Sequence, residues 1–410
     1  MPHPKVSDEI VVYAREGPEL RDFLALVERF NRRALEPTRW RPLVITSSEP
    51  LARLCEERRG DVVVLAGRNG GKARTIERLH EAGLHVLADK PWLVHPDDLP
   101  SVRASLAGWP LAMEIMTGRH DLAARLLKRL VDAPEILGRL RPDGPAIELD
   151  SVHQLEKLVD GAPLRRPWWF FDVRIQGSGA VDIPTHLVDQ TQWILQGLTD
   201  ASPTAPRLLS ARAWPTHVPL ESFRRITGCA DVPPELQPLT DGEGLRYLCN
   251  AELVYRLGDV TARASTRWEL RPPPGGQDAY RVVVHGTRAD VGLEQGAHTG
   301  GQRRLVIEPR TDPVGVARAL THEVAGWARD YPGLRTESDD GGRSLIAVPT
   351  TLDPGHETHF ARVLDQFLHA IDGGQWPADL AARTLAKYTL LADAAAVSAP
   401  PVTAAYAFPQ

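Results

Sequence analysis

Glu81-Ala82-Gly83-Leu84-His85-Val86-Leu87-Ala88-Asp89-Lys90-Pro91 is the stretch on which the fold turns. A helical segment stops at Gly83, residues 85–88 form a short apolar strand, and an acid, a lysine and a proline follow. A glycine-stopped helix feeding a short buried strand is half of a βαβ unit. The lysine then lands at the carboxyl end of a parallel strand, the edge at which doubly wound sheets bind ligands. Working outward, residues 61–65 read as a strand and 71–82 as a helix. Upstream, residues 10–14 read as a strand and 19–34 as a helix, with Leu20, Phe23, Leu24, Leu26, Val27 and Phe30 at helical spacing. Residues 42–46 form a further strand, and Ser47 or Ser48 caps a helix over 49–59. Downstream come a helix over 96–106 and a strand over 111–116. Continuous apolar strands alternating with helices predict a parallel sheet covered on both faces.

Beyond Thr117 the texture changes. A helix over 121–131 leads into strands at 245–257, 260–269, 280–285 and 304–309, and Gly258-Asp259 is a two-residue turn signal. This predicts a mostly antiparallel open sheet. Pro354-Gly355 breaks the chain before a helix over 356–371. The expected organisation is an α/β, doubly wound domain over 1–117, an α+β domain over 118–398 for substrate binding and self-association, and a loose tail over 399–410.

Composition narrows the function. Across 410 residues, 42% are apolar and 25% charged, with a formal net charge of -5, which is ordinary for a soluble protein and opposite in sign to a nucleic-acid binder. No apolar run approaches the length of a membrane span, and residues 1–18 hold no apolar leader core, so a cytoplasmic protein is expected. Cys55, Cys229 and Cys249 have neither disulfide nor zinc-site spacing, and no metal is expected. Lysines are scarce, at 6 against 42 arginines. Each is worth locating.

A lysine at the carboxyl end of a parallel strand can hold a substrate oxygen while hydride moves at the neighbouring carbon. An isolated Lys-Pro pair is more ordinarily a surface lysine ahead of a helix. The second chemical stretch is Gly177-Ser178-Gly179-Ala180-Val181-Asp182-Ile183-Pro184-Thr185-His186-Leu187-Val188-Asp189. Pro184 suits a first helical turn, which puts His186, Asp189, Gln190 and Trp193 on one face. A neutral His near a helix N-terminus suits a general base, and Asp182 is close enough in sequence to orient it. A structural His with a capping Asp would give the same local pattern. Gly177-x-Gly179 is no dinucleotide fingerprint, because no βαβ unit follows it.

Together the two stretches resemble the "aGkHVlvEKP" and "GgGxlxDxgxHxiD" signatures of the Gfo/Idh/MocA oxidoreductases. The resemblance extends over nearly the whole chain, with Val63-Val64-Leu65-Ala66-Gly67-Arg68-Asn69 where the family has its "vvvatPN" turn. A narrower likeness joins the chain to a subgroup with its own C-terminal domain, carried by residues 12–31, 151–173, 214–216, 248–250 and 355–360. The resemblance implies an NAD- or NADP-dependent enzyme acting on a sugar, glycoside or cyclitol hydroxyl. It implies Lys90, Asp182 and His186 as catalytic residues. Arg15, Gly67, Asn69, Asp89, Lys90 and Pro91 would hold the cofactor. Arg119 and Asp189 would lie on the substrate side, while Trp168 and Trp169, beside Arg165, Arg166 and Asp172, read either as aromatic faces for a polyol or as a core aromatic cluster. It further implies a homodimer or homotetramer built on the C-terminal sheet. Arg68 replaces the family's Pro and Asp89 its Glu. His285-Gly286-Thr287 reads as a structural strand end, and His356 and His359 as structural or rim residues.

One expected part is missing. A dinucleotide fold needs a first strand followed by a glycine-rich turn whose N–H groups hold the pyrophosphate. No G-x-G-x-x-G occurs in the chain. Either residues 10–14 are the first strand, with Arg15-Glu16-Gly17-Pro18 as a degenerate loop, or they are the second strand and the chain begins after the first. The subgroup likeness favours the second reading. In the order 3-2-1-4-5-6 that would leave a gap in mid-sheet, with the facing edges of strands two and four unpaired. The rival function follows from it: a cofactor-independent lyase or isomerase, or a non-catalytic partner protein.

Overall fold

The computed structural model describes residues 5–159, 162–198, 206–272, 277–352, 355–377 and 379–398. The expected tail over 399–410 lies outside them. The chain opens with β1 (Glu9–Ala14), α1 (Pro18–Arg32), β2 (Arg41–Thr46), α2 (Pro50–Glu57), β3 (Val62–Leu65), α3 (Lys72–Glu81), β4 (His85–Ala88), α4 (Leu99–Ser105) and β5 (Ala112–Glu114). All five strands run parallel within their sheets, as the unbroken apolar runs predicted.

They do not form one sheet. β1 pairs only with β2, while β3, β4 and β5 form a separate three-stranded sheet. This is the pairing pattern of the order 3-2-1-4-5-6 without its central strand, with β1 and β2 in second and third place. Among the described residues no strand bridges β1 to β3. The consequence shows in burial. Val64 on β3 is 59% exposed, and Phe23, Leu26 and Leu43 around the other sheet are also exposed. β4, by contrast, is buried at every position.

The rest comprises α5 (Leu122–Val131), β6 (Ile147–Gln154), a small hairpin of β7 (Leu158–Val159) and β8 (Ala162–Pro163), α6 (Val173–Gln176), α7 (Pro184–Ile194), β9 (Pro206–Pro219), α8 (Leu220–Thr227), β10 (Gly244–Leu257), β11 (Val260–Glu269), β12 (Ala279–His285), β13 (Ala289–Gln295), β14 (Arg304–Pro309), α9 (Pro313–Trp327), β15 (Thr336–Ser338), β16 (Ser344–Ala347), α10 (His356–Gly373) and α11 (Leu380–Ser398). Nine of these strands form one sheet in the order β15-β16-β14-β13-β12-β6-β11-β10-β9. Only the β6–β11 pair is parallel. Gly258-Asp259 turns β10 into β11 as expected, with Leu257 opposite Val260. The fold is therefore α/β followed by α+β with a large, mostly antiparallel sheet.

The C-terminal helices return to the first sheets. Val363, Phe367 and Ala370 of α10 pack on Leu87, Leu111 and Met113 beside β4 and β5. On α11, Tyr388 stacks on Trp92, just after the Lys90-Pro91 pair, with ring centroids 6.0 Å apart. No helix among the described residues is long and apolar enough to cross a membrane.

Candidate active site

Three turns converge at the carboxyl end of β4. The first follows β3 and carries Asn69 into α3, the second carries Lys90 out of β4, and the third, ahead of α7, carries Asp182. Two glycines permit the approach. A Cβ on Gly70 would lie 2.8 Å from the Arg174 carbonyl oxygen, and the Gly70 N–H donates to the Ile175 carbonyl at 2.8 Å. A Cβ on Gly179 would lie 2.4 Å from the Cys249 carbonyl carbon, so only glycine lets the start of α7 dock on β10. The Gly177-x-Gly179 pattern is thus a packing device, in keeping with its rejection as a fingerprint.

Lys90 donates to Asp182 Oδ1 at 2.7 Å, with side chains 15% and 7% exposed. Asp182 Oδ2 accepts from Gln176 Nε2 at 3.2 Å. Burial alone would raise the Asp182 carboxyl, but the Lys90 ammonium and the Gln176 amide hold it below the usual carboxylate range. Asp182 was expected to orient His186. It bonds Lys90 and Gln176 instead, and the His186 ring makes no hydrogen bond among the described residues. Desolvation, then the charge of Lys90, push His186 down to about 3, against the pull of Asp182 and Asp189. His186 is therefore a neutral imidazole with uncommitted nitrogens, within electrostatic reach of a lysine–aspartate pair.

Arg119 and Asp189, expected on the substrate side, hold each other: Arg119 Nε donates to Asp189 Oδ2 at 2.8 Å and Nη2 to Oδ1. Asp189 Oδ1 also accepts from Lys387 at 3.3 Å. Burial opposes ionisation of Asp189, yet Arg119 and Lys387 hold its carboxyl far below the usual range. The aromatic pair divides. Trp168 packs half-buried against the core, whereas Trp169 donates to Glu19 Oε1 at 3.0 Å, under the Arg68 guanidinium. Arg68, which stands where the family has Pro, is thereby used to tie α1 to the second sheet through Glu19.

The expected cofactor residues fall into two groups. Asn69, Asp89, Lys90 and Pro91 gather at the end of β4, with Gly67 just after β3 and free of any neighbour that would crowd a Cβ. Asn69 is buried, and its Nδ2 donates to the Gln176 carbonyl at 2.8 Å. Arg15 sits apart, at the ends of β1 and β2. There it lines an open surface depression with Glu16, Thr46, Ser47 and Ser48. Its Nε donates to the Ser48 carbonyl at 2.9 Å.

Those two groups are the ones expected at the two ends of a dinucleotide. The middle is different. The glycine-rich turn Gly67 to Gly71 ahead of α3 is covered by α6, with the Gly70 N–H already given to Ile175, and Gly179 ahead of α7 is packed against the Cys249–Asn250 backbone. The described residues thus supply no open glycine-rich turn for a pyrophosphate. No group of three or more His, Cys, Asp or Glu side chains among the described residues is placed to hold a metal ion.

Sequence reasoning did not find Lys72, Gln176, Glu114, Lys387 and Tyr388. The scarcity of lysine was the available signal for two of them. Lys387 bonds both Glu114 and Asp189, and Tyr388 donates to Glu114 and accepts from the Trp92 N–H at 2.8 Å. The C-terminal helix therefore braces the Lys90 turn, β5 and α7 at once.

Residues 126–399 match a family model described as "Putative oxidoreductase C terminal domain". No curated protein sequence matches. Among solved structures, a "putative oxidoreductase" from Parabacteroides merdae ATCC 43184 is 32% identical, with a TM-score of 0.90 over 97% of this chain and 93% of that one. A levoglucosan dehydrogenase in complex with NADH shares 17% identity and a TM-score of 0.57, over 95% of this chain and 88% of that one. KijD10, a 3-ketoreductase from Actinomadura kijaniata solved with NADP, shares 14% identity and a TM-score of 0.54, over 91% and 86%. The last two speak to the fold alone. With two thirds of its length matched by the family model and a 32% identical relative along almost all of it, the chain belongs to the family described as "Putative oxidoreductase C terminal domain".

Proposed function

We propose that the protein is an NAD(P)-dependent oxidoreductase that moves hydride between the cofactor and a hydroxyl-bearing or keto carbon of a sugar, glycoside or cyclitol. The observation that carries this is the Lys90–Asp182 pair beside the neutral, unbonded His186. Solved structures of the same fold hold NADH or NADP, and one of them is a levoglucosan dehydrogenase. When bound, the nicotinamide supplies the hydride acceptor or donor. Asn69, Lys90 and Pro91 would flank its nicotinamide end, and Arg15, Ser47 and Ser48 its ribose end.

The protein's own residues handle the proton. Lys90, with one N–H on Asp182, has further N–H groups to give to the substrate oxygen, stabilising negative charge as it develops there. His186, neutral near pH 7, takes the hydroxyl proton in oxidation and returns it in reduction. Asp182 acts on Lys90 rather than on His186, holding the ammonium in place and balancing its charge. Screening inositols, glycosides and anhydrosugars with NAD and NADP identifies the substrate. Lys90→Ala and His186→Ala are then expected to lose about 100-fold or more in turnover with folding intact. Near-unaltered rates in either variant defeat the assignment.

A second reading rests on the split between β1 and β3. If the pyrophosphate finds no cradle, the same Lys90 and His186 would serve proton abstraction beside a carbonyl, in a lyase or isomerase, or the chain would act as a non-catalytic partner. Calorimetric titration with NAD and NADP separates the two: saturable binding supports the oxidoreductase, and none at millimolar cofactor supports its rival. Self-association as a dimer or tetramer through the large sheet belongs to the same proposal, and light scattering after size exclusion tests it.

A further inference from the structure

Nothing in the mechanism above uses Lys72, the first residue of α3. Its side chain is 4% exposed, and its ammonium donates to Asn69 Oδ1 at 2.7 Å and to the Asp89 carbonyl at 2.9 Å. Among the described residues no carboxylate lies within ion-pair distance of it. Burying a cation against neutral acceptors costs free energy that an apolar side chain of similar length would not. Burial accordingly pushes Lys72 down to about 8, with Asp89 opposing. Stability does not account for a lysine here. Its connections do.

From Lys72 the bonds run in a closed ring. Asn69, held by Lys72 through its oxygen, donates through Nδ2 to the Gln176 carbonyl at 2.8 Å. Gln176 donates through Nε2 to Asp182 Oδ2 at 3.2 Å. Asp182 Oδ1 accepts from Lys90 at 2.7 Å. Lys90 is peptide-bonded to Asp89, whose carbonyl Lys72 holds. Asn69, Asp89 and Lys90 lie at the ends of β3 and β4 and Lys72 at the start of α3, while Gln176 and Asp182 lie 80 or more residues further on, at α6 and ahead of α7.

The ring sits where the Gly70 contact seats α6 on the β3–α3 turn. Each link alone is weak, but a closed set of bonds among buried groups fixes every member, since none can turn without stranding its neighbour. We propose that Lys72 and Gln176 are positioning residues for Lys90, holding its ammonium on Asp182 beside His186 only while α6 is docked on the β3–α3 turn. This rests on the reading of Lys90 as the group that polarises the substrate oxygen.

The scarcity of lysine makes the test direct. Labelling lysine side chains with ¹⁵N gives at most six ammonium signals, from Lys5, Lys72, Lys90, Lys128, Lys157 and Lys387, each assignable by one Lys→Arg variant. An ammonium held on a carboxylate exchanges its protons slowly enough to be observed, and a released one does not. The Lys90 signal is expected in the unaltered protein near pH 6 and is lost in Lys72→Met and in Gln176→Ala. The signals of Lys157 and Lys387, paired elsewhere, persist and certify the fold. Gln176→Ala removes a half-buried amide and keeps the test open should Lys72→Met fail to fold. A Lys90 signal unchanged in both variants, or absent in the unaltered protein, overturns the proposal. Turnover of Lys90→Ala tests the underlying reading separately, so the two fail by different measurements.

Discussion

Lys387→Met is the perturbation whose cost follows most directly from the structure. The Lys387 ammonium is 1% exposed and bonds Glu114 and Asp189, whose side chains are 3% and 7% exposed. Methionine keeps the length and removes the charge. Asp189 retains its two bonds from Arg119, so the damage falls on Glu114, left with the Tyr388 hydroxyl alone. Removing one partner of a buried pair costs about 3–5 kcal/mol, mostly the stranded charge. Burial already raises the Glu114 carboxyl, with Lys387 and Tyr388 only partly offsetting it, and without Lys387 it rises further. A carboxyl whose folded value lies above its unfolded one contributes stability that is present below the unfolded value and lost as pH rises through the folded value. The deficit of Lys387→Met is therefore smaller at pH 5 than at pH 8. Urea unfolding of the full chain, followed by circular dichroism at both pH values, measures it. Adding Glu114→Gln removes the stranded charge while keeping an acceptor for Tyr388, and recovers most of the loss. A single variant within about 1 kcal/mol of the parent, or a double variant no better than the single, refutes the reasoning.

Other expectations follow from the same geometry. Because His186 is held down to about 3, its ring ¹⁵N shifts stay those of a neutral imidazole from pH 8 to pH 5. With its folded value below the unfolded value near 6.5, the stability it contributes falls as pH drops from about 6.5 toward 3. Gly179→Ala places a Cβ 2.4 Å from the Cys249 backbone, so thermal unfolding shows a loss of about 1–3 kcal/mol. Glu19→Gln removes the charge from an exposed contact with Arg68 while leaving an oxygen to accept from Trp169, and costs less than about 1 kcal/mol in the same assay. Amide hydrogen exchange is at least about a hundredfold faster in β1, paired on one edge, than in β10, buried between β9 and β11.

Much of this molecule is local, and what is local was legible. β3, β4 and β5 announce themselves as unbroken apolar runs, and Lys90 follows from its place at the end of one. The split between β1 and β3 was legible too, because a missing turn motif implies a missing strand, and the order of a doubly wound sheet says where the gap falls. β9 was not legible, since prolines at 206, 215 and 219 argue against a strand, yet it lies at the edge of the nine-stranded sheet, where an unpaired N–H position costs nothing. The partnerships of charge were least legible of all. His186 lies four residues from Asp182, so the local pattern suggested that pair. The carboxylate instead met a lysine 92 positions away, Arg119 met Asp189 across 70, and Lys387 met Glu114 across 273. Spacing along a helix says which side chains share a face but not which chain segment arrives opposite. In a buried site, charge pairs with whatever charge arrives, because an unpaired ion there costs several kcal/mol. Six lysines in 410 residues leave few candidates for that role, and Lys72, Lys90 and Lys387 all lie in or against the site, while arginines carry most of the surface pairs. A chain this poor in lysine spends half of its supply where a compact, buried ammonium with three donors is needed, and that bias, more than any motif, connects its composition to its chemistry.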